Sequence, residues 1–220
     1  MRILQPVDNP PGGLEAGRYI RGMRWDRLFE DLEDQLASEW EAERAALDTE
    51  AERLRLSKLS LRERLRALVG TEPTVSVDLV DGTVATGTVS AVGADWFAVT
   101  ADTRRGGALL LPFAGTAAIG IPQADLLRSA RPVAAPARLA DRMTLGFVLR
   151  DLSRRRIPVT VGVAGGRLLS GTIDRAGADH VDLALHDRDA PRRAAAVGGH
   201  RLVPTDSLVW LRLDSAAALT

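Results

Sequence analysis

Residues 80–96 read VDGTVATGTVSAVGADW, and residues 164–180 say nearly the same thing as AGGRLLSGTIDRAGADH. Both carry apolar alternation on either side of a glycine turn. Val75, Val77 and Leu79 alternate ahead of Asp81-Gly82, which predicts a hairpin because both central positions of a type I′ turn need positive φ; Gly165-Gly166 does the same in the second stretch. Gly87 and Gly171 fall inside the following strand, where glycine is costly unless the strand bends sharply. The repeated glycine therefore predicts a small, strongly curved sheet.

The likeness extends outward in both directions. Aligning 59–99 on 143–183 without a gap gives 12 identities in 41 pairs, among them Leu65/Leu149, Val75/Val159, Gly87/Gly171 and Asp95/Asp179, against about 4 for unrelated stretches of this biased composition. Ser60 and Thr144 are matched N-cap residues, and Ser60 with Glu63 forms a capping box for a short helix over 61–69. Downstream, LLPFAGTAAIGI (110–121) matches LVPTDSLVWLRL (202–213) once eight extra residues are allowed in the second copy, around HDRDAPRRAAAVGGH. Insertions of that kind collect in hairpin loops. Each copy thus reads as a short helix followed by about five strands.

The order of parts is a tail over 1–22, a long amphipathic helix over 23–58, a first copy over 59–128, a Pro- and Ala-rich linker over 129–142, a second copy over 143–214 and a tail over 215–220. The expected class is mainly β with α: two five-stranded barrels, each preceded by a short helix, behind a helical arm. Pro10-Pro11-Gly12-Gly13 predicts a disordered or loosely attached tail, with a binding tail through Tyr19 and Ile20 as the alternative and Met23 as a candidate start.

The succession of helix, strand, Asp-Gly turn, bent GTV strand and GAD leading into a third strand resembles the Sm-like family, the Sm, LSm and Hfq proteins. The resemblance covers 59–121 and 143–213. It implies a tandem of small barrels with open edges that pair between units, and RNA binding through the loops after the second and fourth strands. Asp95-Trp96-Phe97 is similar to the family's acidic and base-stacking pair, while Ala98 stands where an Asn is expected and Asp182 in the second copy.

Over the predicted helix, Trp25, Phe29, Leu32, Leu36, Trp40, Leu47 and Leu54 recur at near-helical spacing, interrupted at Glu43. Residues 26–52 carry eleven acids against Arg27 and Arg44, whereas 53–66 carry six bases against Glu63. Acid first and base last suits the helix dipole. It also suits antiparallel pairing of two such helices, giving a dimer; the other reading packs the stripe on the chain's own β-units.

Composition narrows the functions available. No cysteine is present, so disulfides, thiolate metal sites and cysteine nucleophiles are excluded, consistent with a reducing, cytoplasmic setting. The 29 basic and 29 acidic residues cancel, so recognition of a polyanion depends on local patches. No apolar run reaches the roughly 18–20 residues of a membrane span.

The chemistry-bearing candidates are few. His180, Asp182, His186, Asp187 and Asp189 cluster without metal-motif spacing, leaving a metal-dependent hydrolase as a remote reading. VAGGRLLSG lacks the Gly-Lys-Ser/Thr of a phosphate loop, and no Gly-x-Ser-x-Gly elbow exists. A non-enzymatic protein without cofactor is expected. Residues 128–156 hold eight arginines against Asp141 and Asp151. Arg154, Arg155 and Arg156 end the second short helix, and Arg104-Arg105 and Arg192-Arg193 occupy equivalent loops. With Trp96 these form the candidate RNA or DNA surface, beside the rival reading of a protein adaptor using sheet edges and the acidic helix.

Overall fold

The computed structural model describes residues 15–100, 107–131, 139–187 and 197–214, with no side-chain placement for 15–28 and 139–140. One compact unit runs up to Lys58 and a second from Leu59 onward. The first holds α1 (Glu15–Ser57), which starts ahead of the expected Met23. Gly17 and Gly22 lie inside it; a helical glycine costs about 1 kcal/mol relative to alanine, a cost that the long uninterrupted run from Asp26 can carry. The rest of the expected N-terminal tail, and the tail over 215–220, lie outside the described residues.

The second unit comprises α2 (Leu61–Arg66), β1 (Thr74–Leu79), β2 (Val84–Val92), β3 (Trp96–Thr100), β4 (Ala108–Pro112), β5 (Thr116–Gly120), α3 (Gln123–Ser129), α4 (Leu145–Arg155), β6 (Pro158–Val163), β7 (Arg167–Ala176), β8 (His180–Leu185), β9 (Gly199–Pro204) and β10 (Leu208–Leu213). All ten strands join one antiparallel sheet in the order β5-β1-β2-β3-β4-β10-β6-β7-β8-β9, which is not closed. The architecture is thus helices with one large open sheet, where two separate barrels were expected.

The repeat is exact in its register. Thr74 pairs with Thr88 and Pro158 with Thr172; Trp96 pairs with Pro112 and His180 with Pro204; Val77 pairs with Ile119 and Val161 with Leu211. Even the irregularities recur, between Val89 and Ala91 as between Ile173 and Arg175, and between Asp78 and Leu79 as between Leu208 and Trp210 on the partner strand. Each half runs fifth, first, second, third, fourth strand. The halves meet where β4, the fourth strand of one, pairs with β10, the fifth of the other, through Leu110–Leu211, Leu109–Arg212 and Ala108–Leu213.

Two buried clusters exchange residues across that seam. Val209 and Trp210 pack with the first half's Leu79, Ala85 and Leu111, while Trp96, Ala98 and Leu110 pack with the second half's Leu149, Val161 and Leu211. The short helices sit as their caps dictate. Ser60 accepts from the Glu63 amide, and Glu63 accepts in return from the Ser60 amide at 2.8 Å. Thr144 caps α4, whose Leu145, Val148, Leu149 and Leu152 are buried.

In the second hairpin both Gly165 and Gly166 have the expected positive φ, whereas the first differs from the expected type I′ form. Only Gly82 has positive φ in the first, with the Gly82 amide donating to the Leu79 carbonyl at 3.0 Å. Val80 and Asp81 are therefore the central pair, and Gly82 is the left-handed residue that follows, as in three-residue loops. Gly87 and Gly171 are required by close approach: a Cβ would run into the carbonyls of Thr100 and Ala184. The expected linker over 129–142 contains the end of α3 and a 3-10 turn at Leu139–Arg142, and residues 132–138 lie outside the described residues. Arg66 pairs with Asp141 at 2.8 Å, and Arg64 donates to the Leu126 carbonyl at 2.8 Å.

Candidate interaction surface

Trp96, the expected stacking platform, lies in the core at 3 % exposure, and its indole N–H donates to the Met143 carbonyl at 3.0 Å. Its ring is not available to a base. The reason is local: alternation in the buried strand β3 turns Trp96 toward the seam, where Leu110 and Leu145 pack with it. Its neighbour Asp95 accepts from the Leu145 amide at 2.7 Å, tying the first half to α4. Asp95 also lines the adjoining hollow of about 510 Å³, together with Thr144, Arg150 and Asp206.

The arginines closing α4 are exposed and paired locally, two of them with one carboxylate. Arg154 and Arg155 donate to Asp151 at 2.6 and 3.3 Å, and Arg156 donates to Asp174 at 2.7 Å. The hydrogen bond from Arg154, aided by Arg155, outweighs desolvation and holds the Asp151 carboxyl below its usual range. Arg104, Arg105, Arg192 and Arg193 lie outside the described residues.

The histidine cluster divides. His186 is buried, with Nδ1 bonded to the Asp187 carbonyl at 2.9 Å and Nε2 to the Thr172 hydroxyl at 2.8 Å. A carbonyl can only accept, so Nδ1 donates to it, and the Thr172 hydroxyl engages Nε2, which occupies both ring nitrogens. His180 bonds Asp179 at 2.8 Å. Asp182 keeps one buried oxygen without a hydrogen-bond partner, and no group of three potential metal ligands exists among the described residues.

On α1, Phe29, Leu32, Leu36, Trp40, Leu47 and Leu54 are all exposed; the side chain of Trp25 is not described. No helix among the described residues is long and apolar enough to cross a membrane.

The seam is the best-built contact on the second unit. Trp210 lies over Gly162, where the absence of a side chain makes room for the ring, and its indole N–H donates to Asp81 Oδ2 at 3.0 Å. Burial alone would raise the Asp81 carboxyl; bonds from the Thr83 amide and hydroxyl and from Trp210 together hold it below its usual range. The outer edges carry the equivalent strands without this contact. On β9, Leu202 corresponds to the fully buried Leu110 yet is 74 % exposed. Beside it a cavity of about 280 Å³ is lined by Val163, Arg167, Leu169, Arg201 and Val203, the counterparts of the residues around Val209 and Trp210.

No protein-family model matches the chain, and no curated protein matches it. The residues that sequence reasoning missed are therefore identified by internal comparison alone. Trp210, Leu202, Arg167 and Arg201 carry no motif. Their signal was present in the alignment of 110–121 with 202–213, in which Trp210 stands against Ala118 and Val209 against Ala117.

Proposed function

We infer that the chain is a non-enzymatic interaction module made of two Sm-like units, which recognises protein through its open sheet edges and the exposed stripe of α1. What carries this reading is the relation between edges and seam: among the described residues β9 and β5 are the edge strands, each paired on one side only, and they are the fourth and fifth strands of their halves, the same two kinds that pair at β4–β10. Unpaired strand edges are templates for added strands. The Sm-like reading draws support from the repeated strand order and register, and from the edge pairing that the family uses between units. Self-association belongs to α1, whose acidic body and basic end suit an antiparallel partner.

The test is co-purification of a defined protein partner after nuclease treatment. Capture should survive nuclease and fall with Leu202→Asp or with Leu36→Asp; a partner lost on nuclease treatment would overturn it. The second reading, RNA or single-stranded DNA binding, rests on the matched pairs Arg104-Arg105 and Arg192-Arg193. It requires an affinity that drops steeply with salt, and absence of binding at low salt would remove it.

A further inference from the structure

The seam shows what fills the groove beside a fourth-strand edge, and the outer groove shows a different chemistry in the same place. At the seam, β10 supplies Val209 and Trp210 to the space beside Leu79, Ala85 and Leu111. The corresponding positions at the outer end are Val163, Leu169 and Val203, and they line the open cavity of about 280 Å³. The backbone frame is retained: the Ala164 amide donates to the Ser207 carbonyl at 2.8 Å, as the Val80 amide donates to the Gly115 carbonyl at 3.0 Å.

Three replacements change what the outer groove accepts. Arg201 stands where the seam has Leu109, Arg167 where it has Thr83, and Ser207 where Gly115 lets the Val209 backbone come close. Arg167 and Arg201 form no ion pair with a described residue; Arg201 donates to its neighbour's carbonyl, that of His200, at 2.9 Å. The groove is open and carries two arginines where its filled twin has Thr83 and Leu109.

The chain's own free strand does not fit it. β5 of a second copy would bring Ala117 and Ala118 to the positions of Val209 and Trp210, leaving the cavity unfilled, and Gly120 opposite Arg201, leaving its charge unanswered. A copy of β10 would fill the cavity but set Arg212, which pairs with Leu109 at the seam, directly against Arg201. Like charges directly opposite one another on adjacent strands are destabilising.

We propose that the β9 edge receives an extended strand of a different protein, bearing a large aromatic side chain at the position equivalent to Trp210 and a carboxylate two residues later, opposite Arg201. Residues two apart on a strand share a face, so one segment can fill the cavity and neutralise the arginine together. This rests on the reading of the chain as an interaction module, and it names the kind of partner for one of its edges.

The experiment uses the full chain and a labelled synthetic peptide, DSLVWLELD, which is residues 206–214 with Glu in place of Arg212, followed by fluorescence anisotropy. Saturable binding is expected, weakened at least tenfold when the peptide's Trp becomes Ala or its Glu becomes Arg. Arg201→Glu in the chain should reverse that charge preference, favouring the Arg peptide. Circular dichroism and a control with Leu202→Asp check that the surface variants remain folded and that the edge is the site. Equal binding of the Trp→Ala peptide, or no binding of any peptide, overturns the proposal. So does an oligomer of the chain that Leu202→Asp disperses, because β9 would then be taken by a second copy. If the peptide fails while a nuclease-resistant partner is still captured through α1 or β5, the β9 assignment falls and the module reading stands.

Discussion

Asp81 does two jobs with one carboxylate. Oδ1 accepts from the Thr83 amide at 2.9 Å, closing the first hairpin, and Oδ2 accepts from Trp210, holding the second half's strand against the first. Asp81→Ala should destabilise the protein by about 1–2 kcal/mol, the range for a hydrogen bond to a partly solvated charged group, as read by urea denaturation at neutral pH. Its folded pKa is depressed, so its contribution is complete above the ordinary carboxylate value near ~3.9 and is lost as pH falls through the lower folded value. The difference in stability between the wild type and Asp81→Ala should therefore shrink on acidification through that window. A difference that grew with acid would contradict the assignment. The glycines make a second contrast at this scale. Gly171→Ala must displace the β8 backbone at Ala184 and should cost more than about 2 kcal/mol, whereas Gly82→Ala meets no atom and costs only the strain of its φ of +84°, about 1 kcal/mol.

Elements behave according to what faces them. The three arginines ending α4 are exposed and locally paired, so Arg154→Ala should change stability by less than about 0.5 kcal/mol. The stripe on α1 is a different case, because it lies exposed along an unbroken helix. If it joins a second copy, Leu36→Ser combined with Leu47→Ser should convert a sedimenting dimer to monomer with little loss of helical circular dichroism. An unchanged mass would remove α1 as the self-association element. The ends of α1 also show where periodicity stops being informative. Trp25 to Leu54 predicted the helix, while Pro10-Pro11-Gly12-Gly13 led to a tail over 1–22; the helix in fact begins at Glu15, through Gly17 and Gly22, as propagation from the strong helix downstream outweighs local propensity. No local pattern announced α3 at the end of the first copy, nor the turn in the linker that brings Asp141 to Arg66, since that order comes from contacts with α2.

For the whole molecule, duplication was legible and its consequence was not. Aligned glycines, caps and apolar positions predicted two equivalent units, and their strand registers agree residue by residue. The union of the two into one sheet was hidden because the deciding residues are a difference between the copies: Leu208, Val209 and Trp210 where the first copy has Thr116, Ala117 and Ala118. The same alternation that marks Trp96 as a strand residue could not say that its face would be buried against the other half. This exchange makes the two halves one cooperative unit. Trp210 belongs to the second half in sequence and to the first half's core in space, so Trp210→Ala leaves a cavity there and removes the bond to Asp81. The expected loss is about 3–5 kcal/mol, a fall in midpoint of roughly 10 °C for a unit of this size. Calorimetry should show that loss in a single transition, with Val75→Ala in the first half and Val159→Ala in the second lowering the same midpoint. Two transitions, only one of them moved by each substitution, would mean that the seam joins units that fold apart.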